Sequence, residues 1–160
     1  MCVAVLTAVK SSVATLTHVI PSQDRRSVTA VTSLDDDAVF VVRCSSKQVE
    51  VYDAVTFILQ RHITVPGLGS RTYGMAACDR NKRLYLSNYN NASVHRVELS
   101  GSSAVKKWSV ADRPRGLSVN IAHNLVVACY GANTGIHDAR ICCERNMSAV
   151  TMSCYPAVHW

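Results

Sequence analysis

Three arginines stand at one repeated address. Arg26, Arg71 and Arg113 each lie three residues ahead of a run of small, apolar and β-branched residues, the runs starting at Thr29, Gly74 and Gly116. A guanidinium is planar, permanently charged and carries a fork of N–H donors, so several of them at one level suit carboxylates or phosphates. Arg115 adds a fourth guanidinium, and Tyr73 supplies an aromatic ring beside Arg71. These five residues are the candidate partner-binding set. The ligand classes they fit are an acidic protein or peptide surface and an RNA backbone. The competing reading pairs each arginine with an acid of the adjoining repeat, Asp24 and Asp112 being nearest in sequence.

Other chemistries find no matching spacing. A structural zinc needs four ligands in short-spaced pairs, whereas Cys142 and Cys143 are adjacent and Cys44, Cys78 and Cys129 fall singly at or just past strand ends. Such cysteines read as small buried apolar residues. No Gly-x-Ser-x-Gly elbow occurs. The run Asp35, Asp36, Asp37 lacks the glycine and distal glutamate of a calcium loop and reads as a solvated turn. No glycine-rich phosphate loop is present. His95 and His137 sit at what look like matching positions of successive repeats, which argues for shared packing because a catalytic histidine is needed only once. We expect no catalytic residue, no cofactor and no metal ligand.

The composition sets the frame for these residues. With 160 residues, 48% hydrophobic, 18% charged, and only 7 Gly and 4 Pro, the chain has the apolar content of one folded domain, which excludes a disordered tail or a collagen-like rod. Lys and Arg total 17 against 11 Asp and Glu, a formal charge of +6 that favours acidic partners. The 7 cysteines are odd in number and irregularly spaced, which points to a reducing, cytoplasmic setting. No stretch approaches the ~18 uninterrupted apolar residues of a membrane helix, so no membrane association is expected.

The elements that position the arginines come from a repeat. Offsetting the sequence by 45 places Ile20-Pro21 over Val65-Pro66, Val39 to Val42 over Leu84 to Ser87, Val49 to Tyr52 over Val94 to Val97, and Ile63-Thr64-Val65 over Trp108-Ser109-Val110. A third copy follows at 41 to 42, with Leu84-Tyr85-Leu86 over Leu125-Val126-Val127. Each copy splits into short apolar and β-branched runs separated by turn-forming clusters, which is the pattern of strands joined by hairpins. The best copy yields strands at Gly74 to Cys78, Arg83 to Ser87, Ser93 to Leu99, and Val105 to about Val110. The third of these mixes charged with apolar residues and is expected near an outer edge. Four short antiparallel strands every 40 to 50 residues make the blade of a β-propeller.

The expected fold is therefore all-β, an open or partial propeller over residues 1–138. It comprises a trailing strand over 13–20, complete blades over 28–65 and 74–110, and a half blade over 116–138. Residues 139–160 form a divergent tail that does not supply a fourth strand. First strands line a propeller's channel, so the loops leading into them share one face, and the arginines would form an arc there. Lys47, between second and third strands, is expected on the opposite side or the periphery. Exposed apolar faces of end blades predict self-association.

Tyr73 to Asp79, Arg83 to Asn88, and Val94-His95-Arg96-Val97 resemble the NHL-type repeat, as do Arg113 to Asn120 followed by Asn124 to Cys129. Val51-Tyr52-Asp53 is similar to the Trp-Asp end of a WD repeat. The resemblance covers about Val28 to Asp138. It implies a non-enzymatic protein-interaction module, such as a fragment of a larger recognition or ubiquitin-ligase-type protein. The alternatives are an RNA-binding propeller using the arginine face and a propeller hydrolase or lactonase.

Overall fold

The apolar runs become strands. The computed structural model describes residues 3–6, 16–20, 25–35, 37–101, 104–110, 112–130, 137–142 and 154–155, and every regular element among them is a β-strand. A hairpin of β1 (Val3–Leu6) and β2 (Leu16–Ile20) comes first. Blade one is β3 (Val28–Leu34), β4 (Ala38–Arg43), β5 (Gln48–Asp53) and β6 (Leu59–Thr64). Blade two is β7 (Met75–Cys78), β8 (Arg83–Asn88), β9 (Ser93–Glu98) and β10 (Val105–Ser109). Blade three is β11 (Arg113–Val119), β12 (Leu125–Tyr130), β13 (His137–Cys142) and β14 (Cys154–Tyr155). Each blade is an antiparallel four-stranded meander in chain order. The first strands lie side by side, β7 between β3 and β11, so the blades stack around a common axis.

The third blade departs from the expected half blade, because β13 and β14 continue its sheet past residue 138. Loop length is the reason. In blade two Asn88 stands opposite Ser93, but in blade three Cys129 stands opposite Asp138, so the hairpin between second and third strands is four residues longer. The same shift separates the two histidines: His95 pairs with Leu86 inside the sheet, whereas His137 pairs with Tyr130 at the strand end. They do not occupy matching positions. Residues 13–15 of the strand expected over 13–20, Asp36 and most of the proposed tail lie outside the described residues.

Both faces of the second strands are used, which is why their sequences are continuously apolar. Phe40 and Val42 meet Leu84, Leu86 and Val97 between blades one and two, while Val39 and Val41 point the other way with Tyr52. Tyr85 and Val94 meet Leu125, Val127 and Cys129 between blades two and three. Each fully buried side chain of this size contributes about 1.5–3 kcal/mol.

The third strands are interior, not edges. Ser93 to Val97 are all buried, and the exposed edges are instead the fourth strands β6 and β10. Charge misled here because the charged residues meet partners within the blade. Arg96 Nη2 reaches Glu98 at 2.8 Å, and Arg43 Nε reaches Glu50 at 2.7 Å while the Tyr52 hydroxyl donates to the other Glu50 oxygen at 2.8 Å. The bond from Glu50 holds Arg43 above its ordinary pKa, against burial, which acts the other way.

Hairpins from first to second strands knit neighbouring blades along the opposite end. Asp35 N donates to Asp79 at 2.9 Å, and Lys82 Nζ sits 3.2 Å from Asp35 and 3.7 Å from Asp37. The aspartates are thus a solvated turn with a cross-blade cation, as the sequence indicated for Asp35 and Asp37.

Candidate functional site

Blade two meets blade three through backbone, and this meeting builds the candidate site. Gly74 lies so close to β11 that a Cβ there would stand 2.5 Å from the Arg115 carbonyl oxygen and 2.9 Å from the Leu117 nitrogen. Ser87 Oγ accepts from the Gly74 and Tyr73 amides at 2.8 and 3.2 Å and fixes the lead into β7. On β11 the ladder skips Arg115: Pro114 pairs with Cys129 and Gly116 with Ala128. Such a bulge re-aims the residue left over. Pro114 tolerates this place because it donates no ladder bond.

The re-aimed Arg115 guanidinium stands among three tyrosine rings, 5.3 Å from the centroid of Tyr130, 5.6 Å from Tyr73 and 5.9 Å from Tyr89. Arg113 lies 5.4 Å over Tyr89, on which Tyr73 packs edge-on at 5.5 Å. Tyr89 is buried, Tyr73 is 39% exposed, and both arginines are exposed. Ring faces attract and orient a guanidinium, at about 0.5–1 kcal/mol for exposed pairs, while leaving its N–H edge for a ligand. Among the described residues Arg71, Arg113 and Arg115 make no ion pair.

Of the five sequence candidates, the structure gathers Arg113, Arg115 and Tyr73. Arg71 is exposed next door, its carbonyl accepting from the Tyr89 amide at 3.0 Å. Arg26 stands two blades from Arg113, ahead of β3, where its carbonyl receives Arg43 Nη1 at 3.1 Å. Arg113 belongs to β11 itself rather than to the loop before it. Lys47 is on the same side as the arginines, not opposite: Val65 N donates to its carbonyl at 2.9 Å, and Ser45 N donates to Ser70 O at 3.1 Å. Antiparallel alternation requires this, since a second strand returns to the level where the first began. Tyr130 escaped the sequence reading, although it follows Tyr89 by 41 residues, the offset that already aligned β8 with β12.

Beneath the loop that carries Arg71 lies a buried amide–imidazole pair. Asn88 Nδ2 donates to Gly67 O at 2.9 Å and sits 3.3 Å from His95 Nε2. Asn88 Oδ1 fills the space a Cβ on Gly69 would need, 2.5 Å away. His95 holds the place in blade two that Glu50 holds in blade one, 45 residues earlier. Burial, and secondarily the Lys107 charge, push its pKa down from 6.5 to about 4. The neutral ring is therefore favoured by folding, so its contribution is complete above pH 6.5 and is lost as pH falls toward 4. In urea melts, the stability advantage of wild type over His95→Gln should shrink steadily between pH 6.5 and 4. A pH-independent gap would show that His95 titrates normally.

No protein-family model and no curated protein matches the chain. Solved structures do. The Nidogen/Laminin complex superposes with a TM-score of 0.66 at 12% identity, covering 79% of this chain and 48% of that one. Hydrazine synthase of Kuenenia stuttgartiensis gives 0.58 at 20% identity, covering 78% and 36%. The β-propeller domain of Cps50 (Swd1) from Myceliophteria thermophila gives 0.57 at 13%, covering 81% and 38%. The chain thus spans less than half the length of these structures. At such identities the likeness establishes fold alone: adjoining four-stranded blades of β-propeller type.

Proposed function

We propose that the chain is a non-enzymatic interaction module, with the NHL-type repeat as its nearest sequence pattern and a larger recognition or ligase-type protein as its setting. It binds an acidic protein or peptide surface through Arg113 and Arg115 on the seam of blades two and three, with Arg71 and Tyr73 at the margin. One observation supports this most: the Arg115 guanidinium stands among three tyrosines, with no carboxylate partner among the described residues. Two oriented cations on a rigid aromatic floor lose little freedom on meeting a ligand carboxylate. Cysteine side chains that form no disulfide, Cys44 and Cys78, fit the reducing, cytoplasmic setting that belongs to this reading. Self-association through blade faces is part of the proposal, and elution at the monomer position in size exclusion would remove it.

The test is fluorescence anisotropy with a labelled oligo-glutamate peptide. Arg113→Glu/Arg115→Glu should weaken binding by at least about tenfold, the loss of close charge complementarity, with the protein still folding cooperatively, because both side chains are exposed and only their ring contacts are lost. Unchanged affinity contradicts the reading. RNA is the second reading, favoured by the convergence of Tyr73, Tyr89 and Tyr130 on one place, since bases stack on such rings. A uridine oligonucleotide binding more tightly than the peptide, and losing affinity steeply with salt, would select it.

A further inference from the structure

The opposite end of the blades carries a groove of its own. A groove of about 330 Å³ opens between blades one and two, its apolar lining Leu34, Phe40, Val51 and, from blade two, Leu99, and its charged lining Arg61, Lys82 and Asp37. Strand register explains the composition. Thr32, Phe40, Val51 and Arg61 are successive partners across β3 to β6, so they form one row on one face, apolar within and cationic at the outer edge.

Among the described residues, blade one has no free acid on this face where blade two has Glu98, and Arg61 takes the place that Lys106 holds there. In blade two the equivalent row runs Ala76, Tyr85, Arg96, Lys106, and Glu98 neutralises Arg96 at 2.8 Å and Arg83 at 3.2 Å. Asp53 holds the place of Glu98 in blade one, 45 residues earlier. Its carboxylate is occupied elsewhere: one oxygen accepts from Val55 N, Thr56 N and Thr56 Oγ1, and the other from Gln60 Nε2. Lys82, also at the groove, is taken by Asp35 and Asp37. Arg61 therefore makes no ion pair among the described residues. The backbone edge of β6 beside it pairs with no further strand among them.

We propose that this groove docks an extended acidic segment of a partner protein, which inserts one large apolar side chain onto Phe40 and Val51 and sets an adjacent carboxylate on Arg61. The volume lies at the small end of ligand sites, about 300–1,000 Å³, so it suits a side chain rather than a large cofactor. The excess positive charge of the chain, +6, favours the same acidic segment.

Anisotropy with the full chain and a labelled octapeptide, one leucine between two glutamates in a Ser/Gly background, tests this. Arg61→Glu should lower affinity by about tenfold or more, and replacing the peptide's leucine with serine by about fivefold, as expected for anchor residues. Arg61 is exposed, so its replacement leaves the melt in place. Lys106→Glu, the same charge reversal at the equivalent exposed place in blade two, should leave this peptide's affinity within about twofold, since it lies outside the groove. Equal binding by Arg61→Glu, equal binding of the serine peptide, or a loss in Lys106→Glu as large as that in Arg61→Glu would each overturn the proposal. Displacement of the peptide by octanoate at low micromolar concentration would overturn it in favour of a free amphiphilic acid.

Discussion

Glu50→Ala is expected to destabilise the chain by about 3–5 kcal/mol, the typical loss when one partner of a buried ion pair is removed. Glu50 and Arg43 are both buried, their contact is 2.7 Å, and Tyr52 donates to the same carboxylate. Truncation deprives a guanidinium and a phenol at once, in a largely buried place. Arg43 also donates to the Arg26 carbonyl, so the lead into β3 would loosen too. Removing both charges differs physically, because no buried ion is then left behind. Arg43→Met/Glu50→Leu should therefore be more stable than Glu50→Ala, and a urea-denaturation cycle over the four proteins reads the coupling directly. A loss below about 1 kcal/mol in Glu50→Ala would place the pair in solvent.

Gly74→Ala is the second large effect. The added methyl would meet the Arg115 carbonyl oxygen at 2.5 Å, the Leu117 nitrogen at 2.9 Å and the Gly116 carbonyl carbon at 3.1 Å, all of them backbone. No rotamer change relieves such contacts, so β7 and β11 must separate. Overpacking of this kind costs about 1–3 kcal/mol or more, and we expect the upper end. The site should suffer with the fold, because the clash falls on Arg115 itself. Affinity for oligo-glutamate should drop alongside the melting temperature, although no charge has changed. A Gly74→Ala protein with wild-type melting and affinity would mean that blades two and three do not touch through their first strands.

These two sites mark what the sequence discloses and what it hides. The strand runs of blades one and two were legible because burial on both faces demands continuous apolar sequence, and because both hairpins between second and third strands have equal length. The third blade was legible through β11 and β12 but not beyond, since four extra hairpin residues break a fixed offset. Third strands looked like edges because Glu50, His95 and Arg96 are polar, and a sequence does not show that Arg43, Asn88 and Glu98 wait beside them. Turns were visible as polar clusters, yet positive φ angles fall on Asp35, Lys82 and His123 as well as on Gly67 and Gly101. At the site, repetition disclosed Arg71 and Arg113. The bulge that aims Arg115 leaves no mark in a linear pattern, and Tyr130 becomes meaningful only once β12 is laid beside β8.

The central claim is that an acidic ligand sits on the seam of blades two and three, and hydrogen exchange with and without saturating oligo-glutamate tests it most directly. Slowed exchange should appear in residues 71–74, 89–92 and 112–117, which carry Arg71, Tyr73, Tyr89, Arg113 and Arg115. Hairpins at 34–38, 79–83 and 98–101, at the far end of the same strands, should exchange unchanged. Protection confined to those far hairpins, or none anywhere at saturation, would contradict the account.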